Sequence, residues 1–248
     1  LDLIANHPPR KGACGWEPYP TSLRLINWSL LFGVRHREQF INDYEFSTLF
    51  IESVSNQVSW LEKNLETHIQ ANHLLENIAA LVCVASIFEG KDQDRLKGKM
   101  VPWLKNELSE QILPDGMHYE RSPMYHLRVM WLLEMLEQIG DDDLKAIVSE
   151  PFSRSKSAIG CLRHPDGEIA QFNDAAIGVY QDNWREHPVD GAWCLPDAGY
   201  YGFREGRDYF IADCGAVGPD YQPGHAHADY LSFELSFGGE RVITDTGI

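Results

Sequence analysis

The sequence predicts a helical region followed by an antiparallel β region, and three observations carry that prediction. From Thr21 to about Ile159, six segments place apolar residues three and four positions apart, with no strand pattern between them. Near residue 165 this period is lost, and residues 164–199 are rich in Pro, Gly, Asp and Asn. From Tyr200 onward the period becomes two. The predicted organisation is a helical domain over 1–164, an inter-domain connection over 165–199 and the first part of a β domain over 200–248.

The elements follow in order. Residues 1–20 are punctuated by Pro8, Pro9, Pro18 and Pro20 and read as a loop. The first helix, Ser22 to Arg35, carries Leu23, Ile26, Leu30 and Val34 on one face. Phe46, Phe50, Val54, Val58, Leu61 and Leu65 mark a long second helix. Ile69 to Phe88 ends at Gly90, Arg95 to Ile112 ends at Pro114 and Gly116, and Pro123 to Ile139 ends at Gly140. Leu144 to about Ile159 completes the series. Short connections make antiparallel helix pairs the natural packing. Strands are expected at Tyr200–Glu205, Asp208–Cys214, Asp229–Phe237 and Arg241–Thr246, with Gly238-Gly239 as the last hairpin turn. Leu231, Phe233, Leu235 and Phe237 are expected to share one buried face. The chain stops at Ile248 directly after a strand pattern, so it reads as a fragment, and the absence of a signal pattern at Leu1 carries no information.

Composition narrows the function classes. The 248 residues are 44% hydrophobic and 23% charged, as in a folded globular protein. Seven Trp, ten Tyr and eleven Phe supply a core and leave rings for a cleft. No apolar run is long enough to span a membrane. A net charge of −16 argues against a general nucleic-acid binder. The five Cys form no CxxC pair, which argues against a structural Cys zinc site. No Gly-rich phosphate loop, GxSxG elbow or HExxH helix is present.

Four clusters could carry chemistry. Gly224-His225-Ala226-His227-Ala228-Asp229 places two His two residues apart, so in an extended chain both project to one side. A hairpin could return Asp245 beside His227, which is part of a zinc-type donor set. Asn72-His73-Leu74-Leu75-Glu76-Asn77 sets polar residues in an otherwise apolar helix, with Glu76 one turn after His73. A carboxylate there would fix the imidazole tautomer and raise its basicity; taken alone, the pattern favours a satisfied polar patch between helices. The segment 114–126 gathers His118, Tyr119, Glu120, Arg121, Tyr125 and His126 around a helix start, with Ser122 as N-cap and Pro123 in the first turn. Trp16-Glu17-Pro18-Tyr19, with Arg24 and Trp28, suits either sugar stacking or a plain helix entrance.

Taken together and in order, these segments resemble the heparinase II/III-like polysaccharide lyases: Glu17-Pro18-Tyr19, Asn72-His73, Arg121-Ser122-Pro123-Met124-Tyr125-His126 and Gly224-His225-Ala226-His227-Ala228-Asp229. The resemblance covers nearly the whole chain. It implies an incomplete α/α toroid of helix pairs followed by an antiparallel β-sandwich, and β-elimination of a uronic-acid-containing polysaccharide. It also implies roles. Asn72 would hold the uronate carboxylate, and His73 would join it or act as base, depending on the C5 epimer. Glu76 would orient His73. Tyr125 would be the general acid and, for a syn elimination, also the base. His225 would reach the cleft from the β domain. His227 and Asp245 match positions that bind a structural Zn2+ in some members, a further ligand lying beyond Ile248. Arg121, Arg24, Trp28 and Tyr19 are the candidate substrate contacts.

The expected partner is an acidic polysaccharide or oligosaccharide, with no nucleic acid and no membrane span. Against −16 overall, the cleft must be a local positive exception. The expected compartment is periplasmic or extracellular. The particular polymer and the oligomeric state are open on the sequence. Two other readings share the helix-pair architecture: a glycoside hydrolase using paired carboxylates such as Asp115 and Glu120, and a non-catalytic polysaccharide-binding or assembly protein.

Overall fold

The structure, a computed structural model, describes Asn6, Arg10, residues 12–90 and 92–180, Trp184, Glu186 and residues 190–247. It divides into two compact units, Leu1–Asn106 with Ile139–Asp141, and Glu107–Gln138 with Asp142–Ile248.

The first unit begins with α1 (Pro18–Trp28), which has Pro in its first turn, where a missing N–H costs nothing. It runs on as a π-helical stretch, Ser29–Arg35, so the predicted single helix is two. The His36 N–H reaches the Leu31 carbonyl at 2.8 Å, five residues back. Gly33 lies in this stretch because a Cβ there would sit 2.2 Å from the Ile87 side chain. A short helix α2 (Arg37–Asn42) leads to α3 (Tyr44–Lys63), where the Asp43 carboxylate caps the Phe46 N–H at 3.0 Å. Next comes α4 (Ala71–Ile87), apolar on nearly every side and therefore buried on nearly every side. It packs on Leu25 and Ile26 of α1, both fully buried. Burying side chains of this size contributes roughly 1.5–3 kcal/mol each. Phe32, Phe40, Phe46, Phe50 and Phe88 form an edge-to-face cluster beside them, with centroids as close as 4.9 Å. Helix α5 (Gln93–Gln111) ends within the second unit.

The second unit holds α6 (Pro123–Ile139), α7 (Asp142–Cys161) and one antiparallel sheet. Its strands β1 (Gly191–Leu195), β2 (Tyr200–Glu205), β3 (Asp208–Asp213), β4 (Phe233–Phe237) and β5 (Glu240–Ile243) pair in sequence order. The Gly238-Gly239 hairpin forms as expected, with φ of 60° and 95°, closing Phe237 against Glu240.

Two expectations for this region are corrected. Strand β1 lies inside the stretch read as an aperiodic connection. It is an edge strand paired with β2, and Gly191-Ala192-Trp193-Cys194-Leu195 holds no polar residue, so the sequence shows no alternation although the burial does. The second correction concerns β4. Phe233, Leu235 and Phe237 do share a face, but it is the open face, alongside Tyr201, Phe203 and Phe210. Leu231 precedes the strand, at φ 68°. The buried face of β4 carries Glu234 and Ser236.

A polar pin explains that inversion. Glu234 and His164 are both 0% exposed, and their Oε2 and Nε2 atoms lie 2.5 Å apart. His164 Nδ1 meets Ser236 Oγ at 2.7 Å. Glu234 Oε1 accepts from the backbone N–H groups of Gln171 and Asp245 at 2.9 and 3.1 Å. A hydroxyl, an imidazole and a carboxylate in line suggest a nucleophile triad, but their complete burial leaves no approach for a substrate, so the line is structural.

Candidate active site

In the first unit the site residues cluster at the start of α4. Gln70 (φ 63°, ψ −149°) and Ala71 (φ 50°) both have positive φ, immediately before Asn72 and His73. Such backbone costs on the order of 1–3 kcal/mol per residue and persists where the surroundings impose it. Glu66 imposes it here. Its carbonyl accepts from the N–H groups of Ile69 and Gln70 at 3.0 and 2.8 Å. Its side-chain Oε1 meets His73 Nδ1 at 3.1 Å. Its Oε2 accepts from Asn77 Nδ2 at 3.0 Å, and Asn77 also donates to Ser22 Oγ at 3.1 Å. A buried chain Ser22–Asn77–Glu66–His73 thereby fixes the imidazole from behind. The carboxylate on His73 Nδ1 is therefore Glu66 and not Glu76, which the one-turn spacing had suggested; Glu76 is buried within α4. Tyr19 lies against the other side, its ring centroid 4.5 Å from that of His73. The His73 side chain keeps 31% exposure. Asn72 is buried to 3% and makes no side-chain hydrogen bond among the described residues, so its amide is available to a ligand.

Asn77→Ala breaks this chain in its middle. It is expected to lower the unfolding free energy by about 1–3 kcal/mol, measured by urea denaturation. A loss below a few tenths would show that the chain does not hold the α4 start.

In the second unit, Tyr125 and His225 come together from residues a hundred apart. Ser122 caps α6 as expected: Tyr125 N–H donates to Ser122 Oγ at 3.3 Å. This sets Tyr125 in the first turn. The block around His225 is a loop and not an extended segment, so His225 and His227 need not project together. The His225 ring stacks on the Tyr125 ring at 3.7 Å and 14°. Its Nδ1 lies 2.8 Å from Glu120 Oε1, so Nδ1–H donates there and Nε2 is left for chemistry. Burial, first, and then Asp174 and Glu120 push the Tyr125 phenol above the ordinary tyrosine range. The Tyr125 phenol is therefore neutral at physiological pH.

Behind them, His118 and His126 are fully buried, and burial lowers each to about 4. His126 Nδ1 accepts from the His118 N–H at 3.1 Å, and its Nε2 donates to the Ser155 carbonyl at 3.0 Å. Both are neutral framework groups. Their folded-state values lie below the ordinary 6.5. Their contribution is thus present above pH 6.5 and is lost as pH falls towards 4. Thermal unfolding followed across that window is expected to show a falling Tm, less steep in His126→Gln. An equal slope in that variant would contradict the assignment.

The expected substrate arginines are framework instead. Arg24 Nε donates to Gln57 at 2.7 Å and Nη1 to the Gly15 carbonyl at 2.7 Å, and its guanidinium lies over Trp16 and Trp28. Trp28 in turn packs on Phe50. Arg121, at φ 60°, donates to the carbonyls of Ala216, Gly218 and Asp197 and so ties loops together. In both, the guanidinium is held by neutral oxygen acceptors of the chain itself. The hydrolase pair is not formed either. Asp115 Oδ2 caps the N–H groups of Asp197 and Ala198, both at 2.8 Å, and Glu120 is buried against His225.

His227 and Asp245 do not make up a metal site by themselves. The His227 N–H donates to Asn173 Oδ1 at 3.1 Å, and Asp245 Oδ1 accepts from the Gly247 N–H at 3.0 Å. Among the described residues no group of three or more His, Cys, Asp or Glu is placed to hold an ion.

The sequence reading assigned no role to Glu66 or Asp174. Glu66 precedes His73 by seven residues across a turn, a separation with no helical meaning. Glu120 lay in a cluster already singled out, but its partner is 105 residues away.

Comparison with known proteins agrees with this organisation. Residues 2–187 match the family described as Heparinase II/III N-terminus, and residues 187–248 the one described as Heparinase II/III-like, C-terminal. A curated heparin-sulfate lyase of Pedobacter heparinus is 30% identical over 94% of this chain, which spans 40% of that protein. The crystal structure of a heparinase III superposes with a TM-score of 0.80 at 19% identity, over 99% of this chain and 45% of the other. That of a heparan sulfate lyase from Pedobacter heparinus gives 0.68 at 22% identity, over 94% and 41%. The chain thus spans less than half the length of the relatives it matches, and these likenesses show the same helices-then-sheet fold. With both of its family segments matched in order from end to end, the chain belongs to the heparinase II/III family.

Proposed function

We propose that the protein is a polysaccharide lyase cleaving a uronic-acid-containing polysaccharide by β-elimination. The observation that carries this reading is the Tyr125–His225 stack, with a neutral phenol and an imidazole whose free nitrogen is set by Glu120. It is an arrangement for moving protons, and Asp115, which a hydrolase would pair with Glu120, is instead bound to the Asp197 and Ala198 N–H groups. Family membership and the curated lyase relative support the same reading.

The C5 proton of a uronate is weakly acidic because the adjacent carboxylate is already negative. An eliminating enzyme must stabilise the enolate-like charge that develops there. Asn72, whose amide has no partner among the described residues, and His73, fixed by Glu66, are assigned that role. The base at C5 is His73 or Tyr125 according to the epimer. Tyr125 protonates the departing O4, since a phenol is far more acidic than the alcohol it forms. Tyr19 is assigned to sugar stacking beside His73. No step is routed through a metal. A periplasmic or extracellular location follows from the same proposal, as the place where polymeric uronates are met.

The test is an ultraviolet assay of the full-length protein on heparan sulfate, polymannuronate, polyguluronate and hyaluronan. Elimination leaves a C4–C5 double bond that absorbs, so rising absorbance on one of them is expected. Reducing ends released without absorbance would identify a hydrolase and overturn the proposal. Saturable binding without either signal would favour the binding-protein reading.

A further inference from the structure

The proton-transfer pair has a third member that neither the sequence motifs nor the family match assigns. Asp174 is joined to both halves of the stack through its backbone and its side chain. Its N–H donates to the His225 carbonyl at 2.9 Å. Its carbonyl accepts from Ser122 Oγ at 2.6 Å, the same hydroxyl that caps the Tyr125 N–H. Its carboxylate lies 3.8 Å from His225 Nε2, on the ring that stacks on Tyr125, and its charge helps push the Tyr125 phenol up. The residue before it, Asn173, is held at φ 58° by a dense set of bonds. Its N–H donates to Asp229, its Nδ2 to Tyr200 Oη at 3.2 Å, and its Oδ1 accepts from the His227 N–H at 3.1 Å. The turn that presents Asp174 is therefore rigid. The Asp174 side chain itself is 23% exposed, so its carboxylate is reachable from solvent.

We propose that Asp174 is a positioning residue that keeps the Tyr125–His225 pair aligned for proton transfer; this rests on the lyase reading of Tyr125. The groups facing Tyr125 are Asp174, Glu120, Tyr180 and His225. Two of them are carboxylates, so phenolate is disfavoured between turnovers and the donor proton stays in place. In the reaction the C5–H bond breaks to the base, the C4–O4 bond breaks, and O4 takes the proton from Tyr125. Asp174 gains and loses no proton. Beside its carboxylate the phenolate is disfavoured, so Tyr125 recovers a proton from the base or from water before the next cycle.

The experiment compares wild type with Asp174→Asn and Asp174→Glu in the full-length protein, using two readouts. The first is tyrosinate absorbance during alkaline titration, with Tyr125→Phe subtracted to isolate Tyr125. In Asp174→Asn the Tyr125 step is expected about one pH unit or more lower, and Asp174→Glu, which keeps the charge, is expected to restore it. The second is elimination kinetics. Asp174→Asn is expected to lower kcat by about 10–100-fold with KM changed less than about threefold, and to move the alkaline limb of the rate profile down with the titration. A purely structural aspartate would move neither the titration nor the limb. An unchanged Tyr125 titration in folded Asp174→Asn overturns the proposal. A shifted titration in a protein that eliminates none of the polymers supports Asp174 as the partner of Tyr125 and overturns the lyase reading.

Discussion

Tyr125→Phe is expected to lower kcat for elimination by about 10²–10⁴-fold, the usual weight of general acid catalysis. The fold should be almost indifferent to the change. The ring that stacks on His225 at 3.7 Å is kept, and so is the backbone cap on Ser122. What is lost is one hydroxyl near the partly exposed Asp174 carboxylate, and water can take its place there. The cost in stability is therefore expected to stay within about 1 kcal/mol. Measuring kcat and Tm on the same preparation separates the two effects. A Phe variant with undiminished kcat would remove Tyr125 from the reaction, and a large drop in Tm would make any loss of activity uninformative about chemistry.

Glu234→Leu is expected to produce the largest loss of stability, about 3–5 kcal/mol, the range for removing one partner of a buried ion pair. Four groups meet that carboxylate: the His164 imidazole, two backbone N–H groups and, at 3.6 Å, the Arg241 guanidinium. Leucine satisfies none of them. The double variant His164→Leu with Glu234→Leu should cost less than the sum of the singles, because each single change leaves the other polar group buried without its partner. Urea unfolding of the three variants decides this. Additive losses, or a Glu234→Leu loss below about 1 kcal/mol, would mean that Glu234 and His164 do not act as a pair.

The helices were legible because their cause is local. Apolar residues three and four apart, Ser122-Pro123 at a helix start and glycines after the ends act over one or two turns. The β2 and β3 boundaries and the Gly238-Gly239 turn were legible for the same reason. Strand β1 was not, because its five residues include no polar one and so leave no alternation of type to read. The face of β4 was misread because hydrophobicity alone was used to choose its inner side. Which side is inner depends on what stands opposite, and here that is His164, seventy residues earlier.

The candidate site divides along the same line. The sequence by itself determined the order of helices and strands and the family, and put forward Asn72, His73, Tyr125 and His225 as candidates, because motifs are short and keep their order. Only the tertiary structure decided the partners. Glu66 and not Glu76 meets His73 Nδ1, Glu120 sets the tautomer of His225, and the Asp174 carboxylate lies 3.8 Å from its other ring nitrogen. Arg24 and Arg121, which in sequence look like contacts for a polyanion, are bound to backbone carbonyls. The physical reason is common to all of these. A residue's type fixes which hydrogen bonds and charges it can offer, but only the fold brings up the distant group that accepts them.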